Sequence, residues 1–307
     1  MDETRSRSVV ITGASRGLGL ATATHLHRQG WTVLAAMRTP DAGLPRLKEN
    51  LGPAHDPNRL IGVRLDLEDP DSIEAATAQI LDAVGVPYGL VHNAGLAGAG
   101  AVEEMPVQVV EQMFTTNLFG PIRLTQGLLP GMRAAGRGRV VVVSSHVATS
   151  GMGAVSAYAA SKSALERWAE SLSMEIAPFG LGVSVLVTGT FKTDILELTQ
   201  SWKDATGPYA ALHAALESMG DKMVRFARRP GRFAPVVQRA LQDTKPFSRH
   251  AVGPDAVAMV YGNRVLPTRW VQFLTTRLLG LPRPQSTPSP MSSTPPPASS
   301  PPQPTGP

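Results

Sequence analysis

The chain has 307 residues, 42% of them hydrophobic, and a formal net charge of +5. That length and apolar content can bury a substantial core, and one large domain fits better than two. The absence of cysteine excludes disulfides and thiolate metal sites, and no apolar run approaches the roughly 20 residues that cross a bilayer.

Met1 to Arg5 lead into the first strand with no apolar signal region, so a cytoplasmic protein is expected. Ser8-Val9-Val10-Ile11-Thr12 is a β-branched run of the kind found in buried parallel strands. It stops at Gly13-Ala14-Ser15-Arg16-Gly17-Leu18-Gly19, a TGxxxGxG turn counted from Thr12, and a helix is predicted from about Leu18 to Gln29. Glycines so spaced permit a tight turn, close approach of a ligand and close helix-to-strand packing, while the helix N-terminus offers N–H groups to a pyrophosphate. A glycine-rich turn without a ligand is the alternative.

Thr32 to Met37 forms the next strand and ends about twenty residues after the loop, where an NAD-selective site often has an acidic residue for the ribose 2′-hydroxyl. Here Arg38 follows instead. With Arg16 it offers two planar cations to a 2′-phosphate, which points to NADP, with NAD left open; otherwise both are solvated surface residues. Further on come Asp66-Leu67 after a strand, His92-Asn93-Ala94-Gly95 after another, and Asn117 in a helix beginning near Pro106. Val140 to Val143 then run into Ser144-Ser145. Thirteen residues after Ser145, Tyr158-Ala159-Ala160-Ser161-Lys162 puts a phenol and an amine one helical turn apart. A nearby ammonium is expected to lower the phenol's pKa, which suits proton exchange with an alcohol or carbonyl.

In this order and at these intervals the motifs, from about Ser8 to Thr193, resemble the short-chain dehydrogenase/reductase family. The resemblance, together with alternating strands and helices, implies an α/β fold: one Rossmann-type doubly wound parallel sheet with helices on both faces. It implies that Ser145 hydrogen-bonds the substrate oxygen and that Tyr158 is the general acid/base. Lys162 would bind the nicotinamide ribose and bias Tyr158, and Asn117 would hold a proton-relaying water, unless it is an ordinary polar helix residue. Gly13, Ser15, Arg16, Gly17, Leu18 and Gly19 would line the cofactor with Arg38. Asp66 and Leu67 would hold the adenine, although Asp66 can equally open the turn before the Asp69-Pro70-Asp71-Ser72 cap. Asn93, Ala94 and Gly95 would steady the central strand and cofactor, and Tyr158, Lys162, Gly189 and Thr193 complete the cofactor set. No metal is implied.

Two departures stand out. His92 replaces the family's frequent asparagine, as a tolerated strand-end residue or a cofactor contact. Thr188 replaces the usual proline before Gly189, which frees φ and adds a backbone donor.

The segment of about 190–247 is expected to be a helical cover over the substrate. Its Trp202, Tyr209, Leu212, Leu216, Met219 and Phe226 favour an apolar substrate, or else simply pack the core. Part of the positive charge is local, at Lys222, Arg225, Arg228, Arg229 and Arg232. That stretch is a helix packed on the body or one that lies in a lipid interface.

Phe247 to Val252 looks like the edge strand of the hydroxysteroid and retinol dehydrogenase-like branch, followed by a helix from about Asp255 to Leu281 that packs on the body or grazes a membrane. The domain is expected to end near 281, with 282–307 a Pro/Ser/Thr-rich disordered tail. The expected function is an NADP-preferring alcohol dehydrogenase or ketone reductase for a steroid-, retinoid- or lipid-like molecule. Its partner is that small molecule, with no nucleic acid, and the resemblance implies a homodimer or homotetramer. A 3-ketoacyl thioester reductase and a non-catalytic dinucleotide-binding regulator are the alternatives.

Overall fold

The computed structural model describes residues 7–193 and 200–278. The first half runs β1 (Ser8–Thr12), α1 (Gly17–Arg28), β2 (Thr32–Met37), α2 (Pro40–Leu51), β3 (Leu60–Arg64), α3 (Pro70–Val84) and β4 (Gly89–His92). Next come β5 (Gly98–Gly100), α4 (Val107–Phe114), a π-helical turn (Thr115–Phe119), α5 (Gly120–Ala134), β6 (Gly138–Ser145), α6 (Ser156–Ile176) and β7 (Leu181–Thr188). The chain continues through β8 (Gln200–Trp202), α7 (Ala210–Phe226), α8 (Ala234–Leu241), β9 (Phe247–Val252), α9 (Pro254–Val265) and α10 (Thr268–Leu278).

Seven strands form one parallel sheet in the order β3-β2-β1-β4-β6-β7-β9. β1 and β6 are buried along their whole length because helices cover both faces, which is why they read as unbroken rather than alternating apolar runs. Side chains still alternate between two cores. Val10, Leu34, Leu90, Val140 and Val183 face α3, α5 and α6, whereas Val9, Ile11, Val33, Val91 and Leu186 face α1, α2 and α8. The order reverses between β1 and β4, so the loops after Thr12 and His92 open a crevice at the strands' carboxyl ends.

β9 does edge the sheet, parallel to β7. The expected single helix after it is two, because Pro267 lacks an N–H and pushes Leu266 to extended backbone at φ −89° and ψ 135°. The covering segment contains α7 and α8, but also β8, a three-residue strand paired with β5 that no sequence pattern announces. The expectations for residues 1–5, 194–199 and the 282–307 tail lie outside the described residues.

Candidate active site

Thr12 ends β1 and organises the crevice through its hydroxyl, which accepts the backbone N–H groups of Asn93 and Ala94, each at 3.0 Å. The Asn93 side chain returns the tie by donating to Thr12 O at 2.9 Å. The first turn of α1 thereby lies against the end of β4. Gly13 takes a φ of +68°, which L side chains rarely adopt. Gly19 is pressed so closely that a Cβ there would sit 2.2 Å from Gly13 O and 2.6 Å from Asn93 Nδ2. Arg16 at the helix N-cap puts no side-chain acceptor on the first-turn N–H groups, which suits an anionic ligand. Ser15 and Leu18 are half-buried at the same loop, and Thr193 adjoins it, its side chain 3.3 Å from where a Gly17 Cβ would lie.

Arg38 projects just past β2, exposed like Arg16, and among the described residues neither joins a salt bridge. Asp66 is half-buried beyond β3, its carboxylate accepting the Glu68 N–H at 3.1 Å. It therefore opens a turn, and Asp69 caps α3 by accepting the Asp71 N–H. Leu67 is buried against Gly120, where a Cβ would meet Leu67 O at 2.5 Å.

Ser145 and Tyr158 meet at the end of β6, and Lys162 lies one turn further along α6. Burial raises the Tyr158 phenol above its ordinary pKa and outweighs hydrogen bonding with Ser145, which pulls it down. The net shift thus runs opposite to the lowering expected from a nearby ammonium. Lys162 is buried and its Nζ donates to Val143 O at 3.2 Å. Burial brings its pKa to about 8, against the opposing influence of the Glu166 carboxylate. A Cβ on Gly95 would fall 3.0 Å from Lys162 Nζ and 3.2 Å from Asn117 Oδ1, so these three residues converge.

Asn117 is fully buried in the π-helical turn rather than in a regular helix. Such turns insert an extra residue and re-aim side chains, often at functional sites. Its amide donates to Leu96 O and to Ser161 Oγ, each at 2.9 Å, and its Oδ1 accepts the Leu96 N–H at 2.8 Å. Oδ1 retains a second lone pair.

The two departures have clear structural roles. His92 lies in the core, its Nε2 2.8 Å from Thr125 Oγ1 and its ring edge-on to Trp168. Thr125 already donates to Pro121 O, so Nε2 carries the proton; burial and the Lys162 charge push the His92 pKa down to about 3. The ring is a neutral strand-end residue. Thr188 donates its hydroxyl to Ser144 O at 2.7 Å, bracing β7 to β6 beside Ser145. Gly189 stays bare because a Cβ would strike the Asp255 carboxylate, which accepts the Thr190 N–H.

Several residues that the sequence left unmarked support the site. Ser161 links Asn117 to the Tyr158 carbonyl, to which it donates at 2.8 Å. Glu166, one turn beyond Lys162 and buried, accepts Ser144 Oγ at 2.6 Å and two Arg249 N–H groups at 2.8 and 3.0 Å. The i+4 spacing from Lys162 was its available signal. Ala154, which precedes α6, has a φ of +60° and accepts the Gly100 N–H at 2.8 Å, fixing the approach to Tyr158 against β5.

The cover is fastened to the loop of residues 101–105. Tyr209 donates to Glu103 at 2.7 Å and His213 Nε2 to Glu104 at 2.5 Å. His213 is buried, and hydrogen bonds to charged groups contribute about 1.5–3 kcal/mol. His213→Ala should therefore speed amide exchange in α7 by roughly tenfold or more, read by hydrogen exchange mass spectrometry. Unchanged exchange would mean that the Tyr209–Glu103 hydrogen bond and β5–β8 pairing hold the cover without His213.

A family model described as short chain dehydrogenase matches residues 7–204. The chain is 35% identical over 270 residues to the uncharacterized oxidoreductase YbbO of Escherichia coli (strain K12), covering 86% of this chain and 91% of that protein. Retinol dehydrogenase 5 of Mus musculus is 31% identical over 301 residues, covering 92% and 91% respectively. Among solved structures, a short-chain dehydrogenase from Streptomyces avermitilis superposes with a TM-score of 0.73 at 32% identity, over 88% of this chain and 95% of that one. The motifs, the crevice at the sheet's reversal and these likenesses agree: the chain belongs to the short-chain dehydrogenase/reductase family, oxidoreductases that act on CH–OH groups and bind NAD(P).

Proposed function

We propose that this enzyme interconverts a hydrophobic, lipid-like alcohol and its ketone or aldehyde, with NADP(H) preferred over NAD(H). The observation that carries the substrate class is the wall beside Tyr158. Its ring packs in an apolar cluster with Leu96, Met105, Met113, Val110 and Trp202, separate from the two sheet cores. A charged or sugar-like substrate would strip water from its polar groups against this wall without compensation. The relative named for retinol supports the same class.

The cofactor fits the residues present. The Gly13–Gly19 turn and the open α1 N-terminus suit a pyrophosphate, and Arg16 and Arg38 suit a 2′-phosphate. Asp66 and Leu67 would border the adenine, Asn93, Ala94 and Gly95 the ribose side, and Gly189 and Thr193 the nicotinamide end. When bound, NADPH supplies the hydride. The protein's part is to manage charge and protons. The Ser145 and Tyr158 hydroxyls donate to the carbonyl oxygen, where negative charge grows in the transition state. Tyr158 gives up its proton to that oxygen. The Lys162 ammonium stabilises the resulting phenolate, and a water accepted at Asn117 Oδ1 links the path to solvent. Exposed Phe119 and Met174, on the π turn and α6, support assembly as a homodimer or homotetramer.

Two measurements test this reading. With a panel of apolar, aliphatic and acyl-thioester carbonyls, turnover with NADPH should concentrate on the apolar ketones and aldehydes; turnover confined to acyl thioesters would overturn the substrate class. Arg38→Asp should raise KM for NADPH at least tenfold more than for NADH, since it replaces a charge-assisted contact with like-charge repulsion. Equal effects on both cofactors would remove Arg38 from the site.

A further inference from the structure

The last described helix leaves an apolar face in solvent. On α10, Trp270, Phe273 and Leu274 fall at i, i+3 and i+4 on one face and are 50%, 52% and 43% exposed. The Trp270 and Phe273 rings pack edge to face, 6.2 Å apart. Before the break at Pro267, Leu266, Val265, the latter 82% exposed, and Tyr261 on α9 are exposed apolar side chains as well. The principal neighbour of α10 is α9, and Val271 and Thr275, on a different side of α10 from Trp270, Phe273 and Leu274, are half-buried. Its exposed face therefore has no partner within the described residues.

The charges that this stretch of chain carries have one sign. It holds Arg264, Arg269 and Arg277, and no aspartate or glutamate occurs anywhere after Asp255. Arg277 falls in line with Trp270, Phe273 and Leu274, where its aliphatic stem can lie on apolar surface while the guanidinium reaches outward.

We infer that α10 and the adjoining end of α9 form an interfacial membrane contact, with an anionic phospholipid surface as the occupant. Tryptophan and tyrosine suit the headgroup level, with an apolar body and a polar tip. Arginines and an apolar face acting together distinguish surface binding from spanning. No described helix is long and apolar enough to cross a membrane, so the contact lies in the plane. A second copy of the chain is disfavoured, because two-fold pairing through this face would bring the same arginines together without a carboxylate to meet them. The inference does not depend on the substrate or cofactor reading.

The test is co-sedimentation of the full chain with phosphatidylcholine vesicles, with and without phosphatidylglycerol. Binding is expected only when phosphatidylglycerol is present, falling with salt, together with a blue shift of the emission component that Trp270→Phe removes. The double variant Phe273→Ser/Leu274→Ser should weaken partitioning at least tenfold, with an unchanged melting temperature and unchanged turnover of a water-soluble carbonyl. Equal sedimentation of the wild-type and double-variant chains, or none with either vesicle, would overturn the inference. So would a dimer in sedimentation velocity that the double variant dissolves, which would assign the face to a second copy.

Discussion

Tyr158→Phe should lower kcat for carbonyl reduction by about 10²- to 10⁴-fold, the range for losing a general acid, while NADP(H) affinity stays within about twofold. The substitution removes one oxygen and keeps the ring against Met105, Met113 and Trp202, so the apolar wall survives. The Gly13–Gly19 turn and Arg38 lie on other loops, so the phosphate contacts proposed for them are untouched. Fluorescence titration of cofactor and steady-state rates therefore separate the two effects. The phenol's raised pKa adds a directional signature. A group whose pKa is raised stays protonated through neutral pH, which is the form that reduction needs. Oxidation needs the phenolate, so its rate should climb with alkaline pH while reduction stays flat and then falls. A Tyr158→Phe enzyme that kept more than a tenth of the wild-type rate would assign the proton to another donor, with Ser145 or a water the nearest choices.

Much of this arrangement is readable from the sequence because parallel sheets buried on both faces write themselves as unbroken apolar runs. Ser8–Thr12, Thr32–Met37 and Val140–Val143 were found that way, and the glycine spacing after Thr12 marked the crevice. The convergence of Ser145, Tyr158, Lys162 and Asn117 is what the family resemblance, carried by the order and intervals of the motifs, implies. The unread parts depend on tertiary neighbours. Arg249 reaches Glu166 across 83 positions of sequence; the edge strand that carries Arg249 is expected, but which side chain it delivers to α6 depends on its register with β7, which no local pattern encodes. The π turn at Asn117 has no periodic signature, and three-residue strands such as β5 and β8 have too few residues to alternate. The phenol's pKa came out in the opposite direction because spacing reports a neighbouring charge but not the water that burial removes. The break at Pro267, by contrast, is written in the sequence by the proline itself, although the apolar pattern on either side reads as one continuous helix.

Glu166→Gln should move the alkaline limb of the kcat/KM profile to lower pH and cost about 3 kcal/mol of stability, the lower end for breaking a buried pair. The first effect runs through Lys162. Its pKa is already brought to about 8 by burial, and the Glu166 carboxylate is what opposes that fall. Without the carboxylate the ammonium loses its proton at still lower pH, and with it the charge that stabilises a Tyr158 phenolate. The second effect runs through Arg249, whose side chain remains 28% exposed and can recover some hydration, whereas the Glu166 side chain is only 4% exposed. Arg249→Met, which strands the more buried partner, should therefore destabilise more than Glu166→Gln, and the double variant should cost less than the sum. Lys162 leaves its own mark on stability. Its folded pKa of about 8 lies below the ordinary 10.5, so between those values the unfolded chain binds more protons and stability rises with pH. Glu166→Gln should extend that rising window downward, and Lys162→Met should abolish it, both measurable by urea unfolding across the alkaline range. A variant that loses stability but keeps the wild-type alkaline limb would make Glu166 a brace between β6, α6 and β9 that has no influence on the proton chemistry.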